Sequence, residues 1–254
     1  MKKLIKKLKY LNTNFNVTGV KQSFEDEGAI LQDVVLMRRV TELCGLPMVV
    51  KIGGCEAKTD INNCVNMSVN GIVAPMIETE FSLQKFTESI SHIKDINFYV
   101  NIESKSGYEN IDNILDTPSS KLLTGVVVGR SDFTKSYGYG KQDVDSSFIS
   151  EKVMDIFTKT KKYGYINLMG GNISINSVDF ITKLWGENLL DYIETRNVII
   201  KLTDDNVGRL REVIKEVILF ESMWLTYKAE HYKSISRTYS DRVETLKIRL
   251  DDER

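Results

Sequence analysis

The chain has 254 residues, a formal net charge of −1, 42% hydrophobic and 27% charged residues. A chain of this length buries enough surface to fold without disulfides or a structural metal, and its even charge balance excludes bulk electrostatic binding to nucleic acid or an anionic membrane. Its three cysteines, Cys44, Cys55 and Cys64, are odd in number and form no C-x-x-C pair, so neither a disulfide framework nor a zinc site is suggested, and free thiols fit a reducing cytoplasm.

The N-terminus, MKKLIKKLKY, is basic but lacks the apolar run of a signal peptide. Leu4, Ile5, Leu8 and Leu11 share a helical face, which predicts a capping helix over 1–12 rather than a membrane-targeting segment. Strand-like and helix-like stretches then alternate. Strands are predicted at Val17–Phe24, Pro47–Ile52, Gly71–Pro75, Phe98–Glu103, Val126–Val128 and Tyr165–Met169, with one or two more in Tyr192–Leu202. Helices are predicted at Ile30–Leu43, up to Cys64, at Phe81–Ile93, Tyr108–Leu115 and Ser150–Lys161, and from Ser174 to Leu184. The repeat of about 25–35 residues is that of successive βα units, and the near-continuous apolar strands are those of a sheet covered by helices. Seven or eight such units predict a (β/α)8 TIM barrel, with an open doubly wound sheet as the alternative.

No Pro/Gly/Ser-rich linker divides the chain, so 1–254 reads as a single barrel domain. In the tail, 205–254, helical spacing runs through Leu210, Val213, Ile214, Val217, Ile218, Trp224 and Leu225. A break is predicted at SISRTYS, then a second short amphipathic helix carrying Val243, Leu246 and Leu250. Such a tail suits homo-oligomer formation through the C-terminal helices.

In a barrel of this kind, chemistry collects where strands end. Strand 1 ends in Glu25, Asp26 and Glu27, and strand 2 carries Lys51. Strand 3 runs into Pro75, Met76, Ile77 and Glu78. Strand 4 ends in Glu103 and strand 5 in Arg130, Ser131 and Asp132. Strand 6 ends in Gly170-Gly171-Asn172, suited either to binding an anion or simply to turning tightly, and strand 7 carries Glu194 and Arg196. Glu103 and Asp132 lie one βα unit apart, on adjacent strands facing one mouth. Two hard carboxylates with open positions beside them suit Mg²⁺ or Mn²⁺, although acids there also cap the following helix.

The runs NIESKSGYENIDNIL (101–115), GVVVGRSDFTKSYG (125–138) and GIVAPMIETEFSLQKF (71–86) resemble the HpcH/HpaI aldolase and citrate lyase β-subunit family, of the phosphoenolpyruvate/pyruvate barrel superfamily. The family pattern is roughly E-[ST]-x-x-[GA]-x-x-N, then G-[hydrophobic]₃-G-x-x-D-[LF]-[ST], after a P-M-[IV]-[DE]-T strand end. The resemblance implies that Glu103 and Asp132 are the ligands of a divalent metal, Mg²⁺ or Mn²⁺. In the family's aldolases this metal chelates a pyruvate-type substrate and stabilises its enolate. It also implies that the turn Gly129, Arg130, Ser131 binds the substrate carboxylate.

The sequence departs from the pattern in three places. Lys51 stands where the family usually has Arg, supplying charge without a bidentate fork. The catalytic His of the pyruvate aldolases has no counterpart, since His92 and His231 read as surface residues; Glu25 and Glu27 are therefore the candidate bases, with a solvated acidic loop as the alternative reading. The common G-P-x-D is G-R-S-D, as in a divergent subgroup that also carries K-I-G-G-C-E-A. Arg130 is thus expected either to meet an acidic or phosphorylated substrate or to form an outward-facing salt bridge.

The expectation is a cytoplasmic, metal-dependent carbon–carbon lyase or aldolase acting on a small-molecule 2-oxo acid, with no nucleic-acid or membrane partner. Lys51, Glu25 and Glu27 are the catalytic candidates. The alternatives are a citrate-lyase-like acyl-CoA lyase, a phosphoenolpyruvate-using transferase, or a catalytically silent barrel subunit.

Overall fold

The computed structural model describes residues 1–24 and 29–252. Eight strands close into one barrel in sequence order: β1 (Val17–Ser23), β2 (Met48–Lys51), β3 (Gly71–Ala74), β4 (Asn97–Ile102), β5 (Gly125–Gly129), β6 (Ile166–Gly170), β7 (Tyr192–Glu194) and β8 (Val198–Lys201). Strands β1 to β7 run parallel, whereas β8 runs antiparallel to both β7 and β1. The link Thr195–Asn197 is too short for a helical crossover, so the last two strands form a hairpin and β8 re-enters from the mouth end.

Helices α1 (Lys2–Phe15), α2 (Leu31–Cys44), α3 (Lys58–Asn66), α4 (Glu80–Ile90), α5 (Lys105–Glu109), α6 (Ile111–Asp116), α7 (Arg130–Ser136), α8 (Ser147–Lys162) and α9 (Val178–Gly186) precede or follow the strands, and α10 (Asp204–Val207) and α11 (Leu210–Asp252) end the chain. The main core lies between sheet and helices: Leu4, Leu8, Leu11 and Phe15 of α1 pack there beside Val213, Val217 and Phe220 of α11. A second, small cluster of Val73, Val127, Leu168 and Ile199 fills the inside of the barrel.

Because β8 descends, α11 begins at the far end of the barrel and climbs its side towards the mouth. On the way Glu221 accepts hydrogen bonds from the Thr195 hydroxyl and the Asn197 N–H of the hairpin. Higher up, Lys228 pairs with Asp33 of α2 at 2.9 Å, and the Tyr232 hydroxyl donates to the same carboxylate.

The break expected at SISRTYS is absent; α11 is one helix of 43 residues, about 65 Å long. No Gly or Pro follows Gly208. Thr238, Ser240 and Thr245 donate their hydroxyls to carbonyls one turn back, which satisfies them without interrupting the helix. Beyond Tyr232 the helix leaves the barrel, and Tyr239, Val243, Leu246 and Leu250 are exposed. Among the described residues no helix is long and apolar enough to cross a membrane.

Candidate active site at the barrel mouth

Side chains alternate along a strand, so every second residue points into the barrel. One pleat above the interior apolar cluster, these inward positions become Lys21, Lys51, Asn101, Gly129, Gly170 and Glu194. The mouth above them has two lobes of about 490 Å³ and 500 Å³, and the residues lining both are Lys51, Glu103 and Asp132. Three residues singled out from the sequence thus stand where the two lobes meet.

Glu103 follows β4 and is 4% exposed. Its Oε1 accepts the Met76 N–H at 3.1 Å and its Oε2 the Asn101 side-chain amide at 2.8 Å. Met76 adopts a left-handed backbone, φ 50°, at the end of β3, which turns its N–H onto the carboxylate. The seat also requires a glycine at 129, where a Cβ would lie 2.7 Å from Glu103 Oε2. Burial holds the Glu103 carboxyl above its ordinary range; Lys51 opposes that shift and the nearby Asp132 charge adds to it. Asp132, in the first turn of α7, is exposed at the rim.

These residues fit a divalent cation. Two like-charged carboxylates, one of them buried at a free-energy cost, face a mouth that offers oxygen donors and no His or Cys. Among the described residues no group of three or more His, Cys, Asp or Glu gathers to hold a metal. The rest of a coordination shell would therefore come from water and substrate.

Gly129 and Ser131 line the same lobe, and the backbone nitrogens of Arg130 and Ser131 lie against Gly171, where a Cβ would be 2.5 and 2.4 Å from them. Of the two expectations for Arg130, the salt bridge holds, to Asp145 at 2.6 Å, and the substrate contact does not. The side chain is fully buried and faces away from the mouth, because Gly129 takes the inward position. Its five N–H donors reach five acceptors: Gly170 O, Val144 O, Asp145 Oδ1, Gly171 O and Ser177 Oγ, at 2.6 to 3.4 Å. Arg130 is therefore a structural pin behind the turn, with no donor left for a substrate.

Glu25 and Glu27 lie outside the described residues. Neither histidine reaches the mouth. His92 borders a depression with Asn70 and Ile96, at the opposite end of the barrel, and His231 stacks on Tyr227 of α11.

Sequence reasoning gave no role to Lys21, Met76, Asn101 or Glu194. The signal was available in the alternation: NIE sets Asn101 beside Glu103 on one face of β4, and YIE sets Glu194 above Tyr192.

The closed barrel thus brings two acids and a lysine together at the end of the strands where barrel enzymes carry their sites. A family model described as HpcH/HpaI aldolase/citrate lyase matches residues 4–168, and the chain belongs to that family. No curated protein matches the sequence. Solved structures of similar fold include the citrate synthase SbnG, at 14% identity and TM-score 0.62, covering 87% of this chain and 89% of that one. An HpcH/HpaI aldolase from Desulfitobacterium hafniense DCB-2 has 11% identity and TM-score 0.60, covering 77% and 82%. CitE of Mycobacterium tuberculosis, solved with magnesium and acetoacetate, has 12% identity and TM-score 0.53, covering 83% and 87%. At these identities the likeness is one of fold.

Proposed function

We propose that the protein is a cytoplasmic carbon–carbon lyase of the aldolase type that uses Mg²⁺ or Mn²⁺ and cleaves a 2-oxo acid. The observation that carries this reading is the seat of Glu103, buried against Gly129 and one strand from Asp132, in a mouth whose described lining has carboxylate oxygens and no His or Cys. Glu103 and Asp132 would hold the cation, whose chemistry is Lewis-acid polarisation of the substrate's keto oxygen.

The chain's own groups do the rest. The Met76 N–H and the Asn101 amide fix both oxygens of Glu103 and set the direction it presents. Lys51, beside Glu103, supplies positive charge where negative charge grows as the bond breaks. The first N–H groups of α7, at Arg130 and Ser131, orient the substrate carboxylate, and a side chain at position 171 would cover them. The exposed stripe of α11 supports association with a second copy of the chain, and sedimentation velocity that gives a monomer would remove that part of the reading.

The experiment is calorimetric titration with Mn²⁺, combined with an assay for pyruvate released from 4-hydroxy-2-oxo acids. Wild type should bind one ion per chain and release pyruvate only with metal. Glu103→Gln and Asp132→Asn should each remove binding and turnover while the circular dichroism spectrum is unchanged. Metal-free turnover, or full activity in the double variant, would sink the proposal.

A further inference from the structure

Glu194 closes β7 and is 2% exposed. One of its oxygens, Oε1, pairs with the Lys21 ammonium of β1. The other, Oε2, has no hydrogen-bond partner among the described residues. A buried acceptor left unpaired is destabilising, because it has lost its water without gaining a donor.

The seat of this second acid parallels that of the first. Gly129 and Gly170 are register partners on β5 and β6. As Gly129 makes room for Glu103 from β4, Gly170 makes room for Glu194 from β7; a Cβ at 170 would lie 2.8 Å from Oε1 and 2.9 Å from Cγ. A second buried acceptor without a partner among the described residues is Oδ1 of Asn101, a residue that lines the same 490 Å³ lobe. Its orientation is fixed because the amide nitrogen is committed to Glu103.

We propose that Glu194, held by Lys21, is a substrate subsite distinct from the Glu103–Asp132 pair, and that its free oxygen accepts a hydrogen bond from a hydroxyl group on the far part of the substrate chain. This rests on the 2-oxo-acid reading above and adds to it the class of substrate, a hydroxylated one.

Two unpartnered acceptors call for a ligand that brings donors. Lys21 already matches the charge of Glu194, so an ammonium donor would add unbalanced charge, whereas a hydroxyl donates without adding any. Position selects the far end of the substrate. The seats of the two acids, Gly129 and Gly170, are register partners one strand spacing apart, about 5 Å, still more than separates a keto group from the bond broken beside it.

The test is calorimetry on the full-length protein in Mg²⁺, with 2-oxopentanoate and 5-hydroxy-2-oxopentanoate as probes. Neither acid carries the 4-hydroxyl that aldol cleavage needs, so binding is read without turnover. Wild type should bind the hydroxy acid about tenfold more tightly than the plain acid, as expected for one hydrogen bond to a charged group. The variant Lys21→Met/Glu194→Gln removes both charges without burying one alone. It should bring the two affinities within about twofold of each other and leave that of 2-oxopentanoate unchanged.

Equal binding of the two acids to wild type overturns this subsite and leaves the parent reading standing. So does a preference that survives in the double variant, since the hydroxyl is then held elsewhere. No binding of either acid overturns the 2-oxo-acid reading, and the subsite with it.

Discussion

Five strands carry an apolar or aromatic side chain into the barrel and, one pleat nearer the mouth, a polar side chain or none: Val49 and Lys51, Tyr99 and Asn101, Val127 and Gly129, Leu168 and Gly170, Tyr192 and Glu194. The lower set joins the small interior cluster around Val73 and Ile199, which closes the barrel from within. The upper set does the reverse, using two glycines to leave room for acids from the flanking strands. Stability and chemistry are thus separated by one strand period, about 7 Å, within single strands. The upper set is therefore held by hydrogen bonds and ion pairs rather than by packing, and the β5 and β6 turns beneath it are braced from outside the barrel.

That brace is Arg130, and removing it should produce the largest effect. Arg130→Met leaves the Asp145 carboxylate, three carbonyls and a buried hydroxyl without their donor. Breaking one partner of a buried pair costs about 3–5 kcal/mol, which urea unfolding would register as a lower midpoint at unchanged slope. Arg130→Lys keeps the charge but not the five-donor fork, and should recover only part of the loss. A loss near zero would mean that the β5 and β6 turns hold themselves.

A narrower break targets one seat only. Gly129→Ala places a methyl group 2.7 Å from Glu103 Oε2, against a carboxylate already fixed by Met76 and Asn101. Displacing a ligand in this way should weaken Mn²⁺ binding about tenfold or more, read by calorimetry, with the fold retained. Unchanged affinity would separate Glu103 from the metal.

The apolar layers were legible in the sequence and the braces were not. GVVVG announces a strand buried on both faces, and the spacing of Glu103 and Asp132 follows from the βα repeat. Strand-end polarity does not say which way a side chain points, however, and here inward and outward differ by one residue. Gly129 faces the mouth, so Arg130 is turned into the wall, although its neighbours made it look like a substrate contact. The direction of β8 was hidden for a different reason: VII reads the same in either sense, and only the three-residue link after Glu194 decides. In α11, the Ser and Thr cluster suggested a stop because those residues compete for backbone groups, yet within a helix their hydroxyls bond one turn back.

Acid titration sharpens the contrast between the layers, because the lower one has no carboxylate to protonate. Burial raises the Glu103 carboxyl above its ordinary 4.5. A group whose pKa is higher in the folded state contributes stability that is fully present below its unfolded value and is lost as pH rises through the folded one. The metal-free protein should therefore lose this increment as pH rises out of the ordinary carboxylate range towards neutrality. Glu103→Gln, which resembles the neutral acid, should remove that increment from urea midpoints measured between about pH 4 and about 7. An identical pH slope in the variant would show that Lys51 compensates the burial fully.

The smallest expected change tests whether the upper layer holds strain. Met76 occupies the left-handed region at φ 50°, with its side chain 58% exposed. An L-residue there costs roughly 1–2 kcal/mol, while glycine in its place adds unfolded-state entropy of about 0.5–1 kcal/mol. Met76→Gly keeps the N–H that Glu103 accepts and loses little buried surface. The balance is a gain of up to about 1 kcal/mol in unfolding free energy, with Mn²⁺ affinity unchanged. A gain with weakened metal binding would mean that the methionine side chain, not only its backbone, steadies Glu103. A loss would mean that the thioether packs over the second lobe tightly enough to outweigh the strain, and the mouth would then be shaped from its rim as well as from its floor.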